Sequence, residues 1–296
     1  MSKEIYNKEE LERFQSVQRL AYEVVEEVQK ELYEGITEKE AAEKINQKIK
    51  QKNKASFFHY GFAWFGDRTA FVGFKRPLDL IPFVSRLTPP HFGTEFLPSE
   101  RKLEKGMPVI LDVAPIVDGY SADVGYAFAF GENELVHQGI MDLEIFRLEI
   151  LDLVLKEKTM SEIYRHVNQI IFDLGYTNCH TLYPAGVLGH KVGKIPFSWL
   201  PHTWIMGFQV QTFGYILGQM AEEIISSFQS KSPIWNDVTH TRVEAGLWAI
   251  EPHIAKNGVG VKFEEILVVT ENSAYWLDEK TPHFQYWQKH KTTSKV

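Results

Sequence analysis

The sequence has almost no cysteine and no long apolar run. Cys179 is the single cysteine among 296 residues, which excludes an internal disulfide or a cysteine-rich zinc site and leaves a small buried apolar residue as the expectation. No run of about eighteen apolar residues occurs, and the N-terminus is charged from its start, so neither a membrane span nor a signal peptide is expected. The sequence therefore predicts a soluble, cytoplasmic protein.

An excess of positive charge and a linker are also missing. The net charge is −7, and the basic run at residues 44–54 is mixed with Gln and Asn, which is typical of a solvated helix face rather than a nucleic-acid surface. The 44% apolar content allows a large core. Because no Pro/Gly/Ser-rich segment divides the chain, we expect residues 1–296 to form one domain that includes the N-terminal helices of residues 1–52.

Two signals predict helices near the N-terminus, namely the spacing of apolar residues and a capping box. Apolar residues at three- and four-residue spacings predict a helix over residues 8–34. A second helix opens at Thr37 and Glu40, a capping box in which each side chain satisfies a backbone N–H at the helix start. The same signal returns about 120 residues later at Thr159 and Glu162, which predicts two related halves.

Strand patterns occupy residues 107–117, 120–130, 247–256 and 259–270, so the chain reads as an α+β fold with antiparallel hairpins.

The first predicted hairpin places two aspartates close together on one face. Its turn, Asp118-Gly119, is a strong two-residue hairpin signal and fixes the register. Counting back from that turn pairs Asp112 with Gly125 and makes Asp112 and Asp123 diagonal neighbours on one face, roughly 7–8 Å apart. Two carboxylates at this separation can converge on a shared ion.

The second hairpin opposes two glutamates. Counting from the Asn257-Gly258 turn places Glu251 directly across from Glu264, where like charges repel unless a cation is present. Pro252 removes one ladder hydrogen bond and is expected to disturb the strand. Glu265 alternates to the other face and is expected to be an ordinary exposed or capped carboxylate.

A histidine narrows the chemistry of these four carboxylates. They are compatible with a calcium site or with an acid/base pair of the glycosidase kind. However, His190 stands in "GHKVG", between glycines that let other groups approach its ring. Oxygen ligands with one imidazole favour a pair of first-row ions, namely manganese, cobalt, iron or zinc.

These residues resemble the pita-bread metallopeptidases, the family of methionine aminopeptidase, Xaa-Pro aminopeptidase and prolidase. The family's five metal ligands run Asp, Asp, His, Glu, Glu. They match Asp112 in "VILDVAP", Asp123 in "YSADVG", His190 in "GHKVG", Glu251 in "AIEP" and Glu264 in "VKFEE". The resemblance spans roughly the whole chain and implies the pita-bread (creatinase/aminopeptidase) fold, an antiparallel sheet covered by helices in two pseudo-related halves. We expect no separate N-terminal domain of the kind that prolidases have.

The resemblance implies a hydrolase with two divalent ions that removes an N-terminal residue from short peptides. Glu251 would also shuttle protons, and His91 and His202 would be the family's two non-ligand catalytic histidines. The short spacing between Glu251 and Glu264 looks like the Xaa-Pro branch, to which we assign the chain as aminopeptidase or dipeptidase. Lys262 departs from this branch, which commonly has Arg there.

Alternatives remain open at the level of sequence. Some relatives act on small non-peptide substrates as hydrolases or lyases, and some are catalytically silent binding proteins. The apolar, aromatic stretch of residues 195–220 is compatible with core, a homodimer interface or a substrate pocket. His253 is expected to be structural, and His59 and the other histidines have no usable context. No nucleic-acid or membrane partner is expected.

Overall fold

The computed structural model describes residues 6–52, 55–76, 93–195, 204–205, 207–212, 214–215 and 232–293. Its helices are α1 (Lys8–Glu31), α2 (Glu38–Gln51), α3 (Glu134–Asp142), α4 (Glu144–Leu155), α5 (Met160–Asp173) and α6 (Pro282–Thr293). Among the described helices, none combines the length and the apolar character needed to cross a membrane.

Capping chemistry places the helix starts where the sequence predicts them. Both predicted capping boxes are confirmed, with Thr37 as N-cap of α2 and Thr159 as N-cap of α5. The first helix ends at Glu31, before the predicted residue 34, because the chain turns back through Gly35 at a φ of 94°. The relation between the two halves stays a prediction.

The strands are short and lie in several antiparallel sheets. They are β1 (Ala55–Phe57), β2 (Phe62–Phe65), β3 (Pro108–Val113), β4 (Pro115–Val117), β5 (Tyr120–Ser121), β6 (Val124–Ala129), β7 (Thr177–Asn178), β8 (Gly189–Val192), β9 (Trp204–Ile205), β10 (Phe208–Gln209), β11 (Ile234–Trp235), β12 (Gly246–Ile250), β13 (His253–Lys256), β14 (Val259–Lys262), β15 (Glu265–Val269) and β16 (Ala274–Trp276). The α+β class is confirmed.

Each predicted hairpin keeps its register, but the strand segments of each hairpin belong to two different sheets. In the first, β4 pairs with β5 in the sheet of β1, whereas β3 pairs with β6 in the sheet of β2. In the second, β13 and β14 belong to one sheet, and β12 and β15 to another. Three acidic residues, Asp123, Glu251 and Glu264, lie where a strand leaves one sheet for the next. The four long strands predicted from sequence are therefore interrupted at or near the site.

The hairpin register agrees with the count from the turns. Val117 pairs with Tyr120, and Asp112 with Gly125. In the second hairpin Lys256 pairs with Val259, and beyond Pro252 Ile250 still pairs with Glu265, so the proline interrupts the ladder without shifting it.

Two apolar clusters support the hairpins from opposite sides. Side chains of α1, α2 and the β2-β3-β6 sheet form one cluster, which includes Val25, Ile45 and Leu111. Side chains of α4, α5 and the second hairpin's sheets form another, which includes Phe146 and Trp248. Dense packing on both sides holds the strands, and therefore the acidic side chains between them, in fixed positions.

Cys179 is free and fully buried, as predicted. Burial raises the pKa of its thiol to about 12, so the group is an inert apolar filler. The stretch of residues 195–220 lies largely outside the described residues, and its role stays a prediction.

Candidate metal centre

The structure brings the five residues of the ligand motif together between the two hairpins. Asp112 lies within β3, His190 within β8, and Asp123, Glu251 and Glu264 at the strand breaks. The four carboxylates are buried, with exposed fractions of 1–6%, and His190 is half-buried. Four carboxylates are costly to bury together without cations.

Three of these side chains form a group that fits a metal ion. In this histidine cluster, Nε2 of His190 lies 3.3 Å from Oδ2 of Asp123 and 3.8 Å from Oε1 of Glu264. Ligands about 2.1 Å from one ion lie roughly 3.0–3.4 Å apart, so these two distances need only a small contraction. The Nδ1–H of His190 donates to the carbonyl of Lys191 at 3.2 Å, which turns the Nε2 lone pair toward the carboxylates. One imidazole with two carboxylates suits a first-row ion.

His59 is a member of the site that the sequence did not reveal. Its Nδ1–H donates to the carbonyl of Tyr60 at 2.6 Å. Its Nε2 therefore faces Oδ1 of Asp123 at 3.0 Å and Oδ1 of Asp112 at 3.1 Å. Burial lowers the pKa of His59, but the two aspartates outweigh burial and hold that pKa well above its ordinary value. The local sequence contains no signal for this contact, since it depends on β2 pairing with β3 across some fifty residues of chain.

Lys262 lies inside the carboxylate group. Its Nζ donates to Oδ2 of Asp112 at 2.7 Å, and to Oε2 of Glu251 and Oε2 of Glu264 at 2.9 Å each. These four residues are the lysine cluster. The Lys262 side chain has no exposed surface. In the sequence Lys262 differs from the arginine that is common in the family's Xaa-Pro branch, but the sequence does not predict its position among the acidic side chains.

The surroundings push the pKa values of two carboxyls in opposite directions. Burial alone would raise the pKa of Asp123, but the rings of His59 and His190 hold it well below its usual range. Burial raises the pKa of Glu251, and the charge of Glu264 raises it further against the opposing effect of Lys262. A carboxylate that stays ionised beside one that accepts a proton is the usual division between a ligand or stabiliser and an acid/base group.

The expectation that Glu265 is an ordinary exposed or capped carboxylate is wrong. The side chain does point away from the centre, as alternation requires, but it is fully buried. Its Oε1 accepts from Nε of Arg147 at 2.5 Å and lies 3.0 Å from Nε2 of His283. The outer face of β15 is covered by α4 and α6, so a carboxylate on that face needs partners of its own.

The sequence also assigns roles to three other histidines, and the structure describes one of them. His253 is fully buried; its Nε2–H donates to the carbonyl of Thr69 at 2.7 Å, and its Nδ1 accepts from the Tyr183 hydroxyl at 2.9 Å. These contacts agree with the structural role expected for it. His91 and His202 lie outside the described residues, so their catalytic roles stay predictions.

Sequence comparison adds a family and a relative. Residues 12–271 match the model of metallopeptidase family M24. An uncharacterised peptidase of Staphylococcus haemolyticus is 26% identical over 274 residues, which cover 90% of this chain and 60% of the relative.

Structure comparison finds similar folds. A dipeptidase from Pyrococcus horikoshii matches with a TM-score of 0.62 and 20% identity over 93% of this chain and 61% of its own. An X-Pro aminopeptidase from Thermotoga maritima matches with a TM-score of 0.62 and 16% identity, over 93% and 62%. A methionine aminopeptidase from Rickettsia prowazekii matches with a TM-score of 0.57 and 14% identity, over 94% and 99%. The fold is the one that the resemblance predicts. The chain spans about three fifths of the length of the relative and of the first two structures.

Proposed function

Because the chain belongs to metallopeptidase family M24, we propose that it is a metal-dependent exopeptidase that removes the N-terminal residue from short peptides, of the Xaa-Pro type. The observation that carries the proposal is the convergence of an imidazole and four buried carboxylates, all supplied by the residues that match the family's ligand motif. The names of the structural neighbours, a dipeptidase and an X-Pro aminopeptidase, support a peptide substrate.

The chemistry of the donor set fits a peptidase. A divalent ion at the histidine cluster would polarise the scissile carbonyl and make a nearby water more acidic. Glu251 would take the proton of the attacking water and return it to the leaving amine, which is the role that the family resemblance gives the glutamate of "AIEP". Oε1 is the oxygen for this task, since Oε2 accepts from Lys262.

Finer parts of the proposal rest on the sequence. Manganese as the working ion, a cytoplasmic location, a homodimer, and His91 and His202 as substrate-facing groups are predictions of this kind. The motif also predicts two ions, and the position of Lys262 bears directly on that number.

The proposal is tested by product analysis. Purified protein, with and without manganese, is incubated with Xaa-Pro dipeptides, longer Xaa-Pro peptides and Met-initiated peptides, and the products are identified by mass spectrometry. We expect metal-dependent release of a single N-terminal residue, preferentially from Xaa-Pro peptides. Bound metal with no cleavage of any peptide would sink the exopeptidase and favour a non-peptide hydrolase or lyase. A protein that binds no metal and cleaves no peptide would favour the catalytically silent binding protein.

A pair of variants ties the activity to the centre. Asp123→Ala should abolish both cleavage and metal binding, because Asp123 contacts both histidines of the site. Asp278→Ala is the matched control, since Asp278 is also a buried aspartate but pairs with Arg19 at 2.6 Å and lies outside the centre. The control should lose stability and keep its metal and activity.

A further inference from the structure

We propose that the Lys262 ammonium is a resident cation of this centre: it takes the place of one divalent ion, so that the folded protein binds one ion, at the histidine cluster. The inference deepens the proposed function and rests on it for the identification of the metal centre.

The first argument is the position of Nζ. Asp112, Glu251 and Glu264 form one of the groups of acidic side chains that could hold a metal ion. Lys262 Nζ lies among the same three residues, 2.7–2.9 Å from one oxygen of each. These are ordinary charge-assisted hydrogen bonds, and an ammonium has three hydrogens to donate to three acceptors. Its hydrogens therefore use the lone pairs that an ion would need, and a divalent ion placed beside it would be repelled at short range.

The second argument is that the lysine cannot easily withdraw. Its backbone is fixed in β14, opposite His253. A Cβ at position 125 would overlap Cε of Lys262, so Gly125 leaves the space that the side chain occupies. Nζ also lies 5.0 Å from the centre of the Tyr183 ring, a cation–π contact that adds to the three hydrogen bonds.

Tyr183 is itself held in place. His253 must donate from Nε2 to the carbonyl of Thr69, which only accepts, so Nδ1 of neutral His253 accepts from the Tyr183 hydroxyl. Nζ of Lys262 contacts three carboxylate oxygens at 2.7–2.9 Å, and three hydrogen bonds to three acceptors require the three hydrogens of an ammonium.

The third argument is how the carboxylates divide their oxygens. Glu264 gives Oε2 to Lys262 and directs Oε1 toward His190. Asp112 gives Oδ2 to Lys262 and Oδ1 to His59. Asp123 gives Oδ1 to His59 and Oδ2 to His190. The histidine cluster therefore shares no oxygen atom with the lysine cluster, and one ion can bind there while the ammonium stays.

The test is a count of bound ions. Wild-type protein, Lys262→Met and Lys256→Met are equilibrated with excess Mn²⁺, freed of unbound metal and analysed by plasma mass spectrometry. Methionine keeps much of the lysine's length and removes its charge. Lys256 is the matched control, because it is an exposed lysine on the same hairpin. We expect one ion in wild type and in Lys256→Met, and two in Lys262→Met, with spin-coupled manganese in the electron paramagnetic resonance spectrum of Lys262→Met alone.

Two ions in wild type, an unchanged count in Lys262→Met, or no bound ion in either protein would overturn the inference. If Lys262→Met does not fold, the wild-type count and spectrum decide: one uncoupled ion supports the inference, and a coupled pair refutes it. The proposed function fails separately. Peptide cleavage by a protein with two ions would keep the function and remove the inference, whereas one ion without cleavage of any peptide would do the reverse.

Discussion

Replacing Glu265 by Gln tests whether two adjacent glutamates have the separate roles that their positions assign. Glu264 faces the metal centre, and Glu265 faces Arg147 on the other side of the strand. Both side chains are buried, so their burial does not show which of the two serves the metal centre. The substitution is nearly isosteric. It removes the negative charge and replaces one acceptor oxygen by an amide nitrogen, which donates. Its effect therefore reports the ion pair.

The expected loss of stability is large. The Arg147 side chain is 5% exposed, and removing one partner of a buried ion pair costs about 3–5 kcal/mol because the other charge is left uncompensated. Glu279 lies 3.4 Å from Arg147 but is 60% exposed, so solvent screens it and it compensates little. At about 2–4 °C per kcal/mol, the melting temperature should fall by roughly 6–20 °C.

The assay is urea unfolding of wild type, Glu265→Gln and the control Glu279→Gln, each with a count of bound metal. Glu279→Gln removes the exposed partner of the same arginine and should change the free energy of unfolding by less than about 1 kcal/mol. Glu265→Gln should keep its metal despite its lower stability. A loss of stability below about 1 kcal/mol, or a loss of bound metal, would refute this assignment of Glu265.

Three further outcomes follow from the geometry. A chelator should lower the melting temperature at neutral pH, because the buried carboxylates then repel with less compensation; an unchanged melting curve would argue against a filled site. His59→Phe should destabilise the metal-free protein by about 1–3 kcal/mol, since Asp112 and Asp123 lose a shared donor, and equal urea midpoints for the two proteins would contradict this. Burial lowers the pKa of His180 to about 3, so between about pH 6.5 and 3 the unfolded chain binds a proton that the folded chain does not. This histidine's contribution is therefore complete above about pH 6.5 and falls by up to about 1.4 kcal/mol per pH unit below it. Stability measured from pH 7 to 4 should decline less steeply in His180→Phe, and parallel curves would count against the buried neutral histidine.

The parts of the site that the sequence predicts are those fixed by local chemistry. The Asp118-Gly119 and Asn257-Gly258 turns have positive φ at all four residues, and they set the register from which the positions of the acidic side chains follow. The capping box at Thr37 similarly fixes where α2 begins.

The parts that it does not predict depend on contacts between distant segments. His59 reaches Asp112 only because β2 pairs with β3, and its neighbouring residues give no hint of this. Alternation places Lys262 on the same face of the hairpin as Glu264. However, its side chain reaches the centre only because Gly125 leaves space for it. Alternation places Glu265 on the correct face, but it cannot show that α4 and α6 cover that face.

Anomalous diffraction from crystals grown with zinc tests the metal centre most directly. We expect a peak at the zinc edge about 2.0–2.2 Å from Nε2 of His190, Oδ2 of Asp123 and Oε1 of Glu264. Nζ of Lys262 should remain on the carboxylates of its own cluster. The absence of any zinc peak among these residues, at a zinc concentration that supports peptide cleavage, would contradict the assignment of the centre.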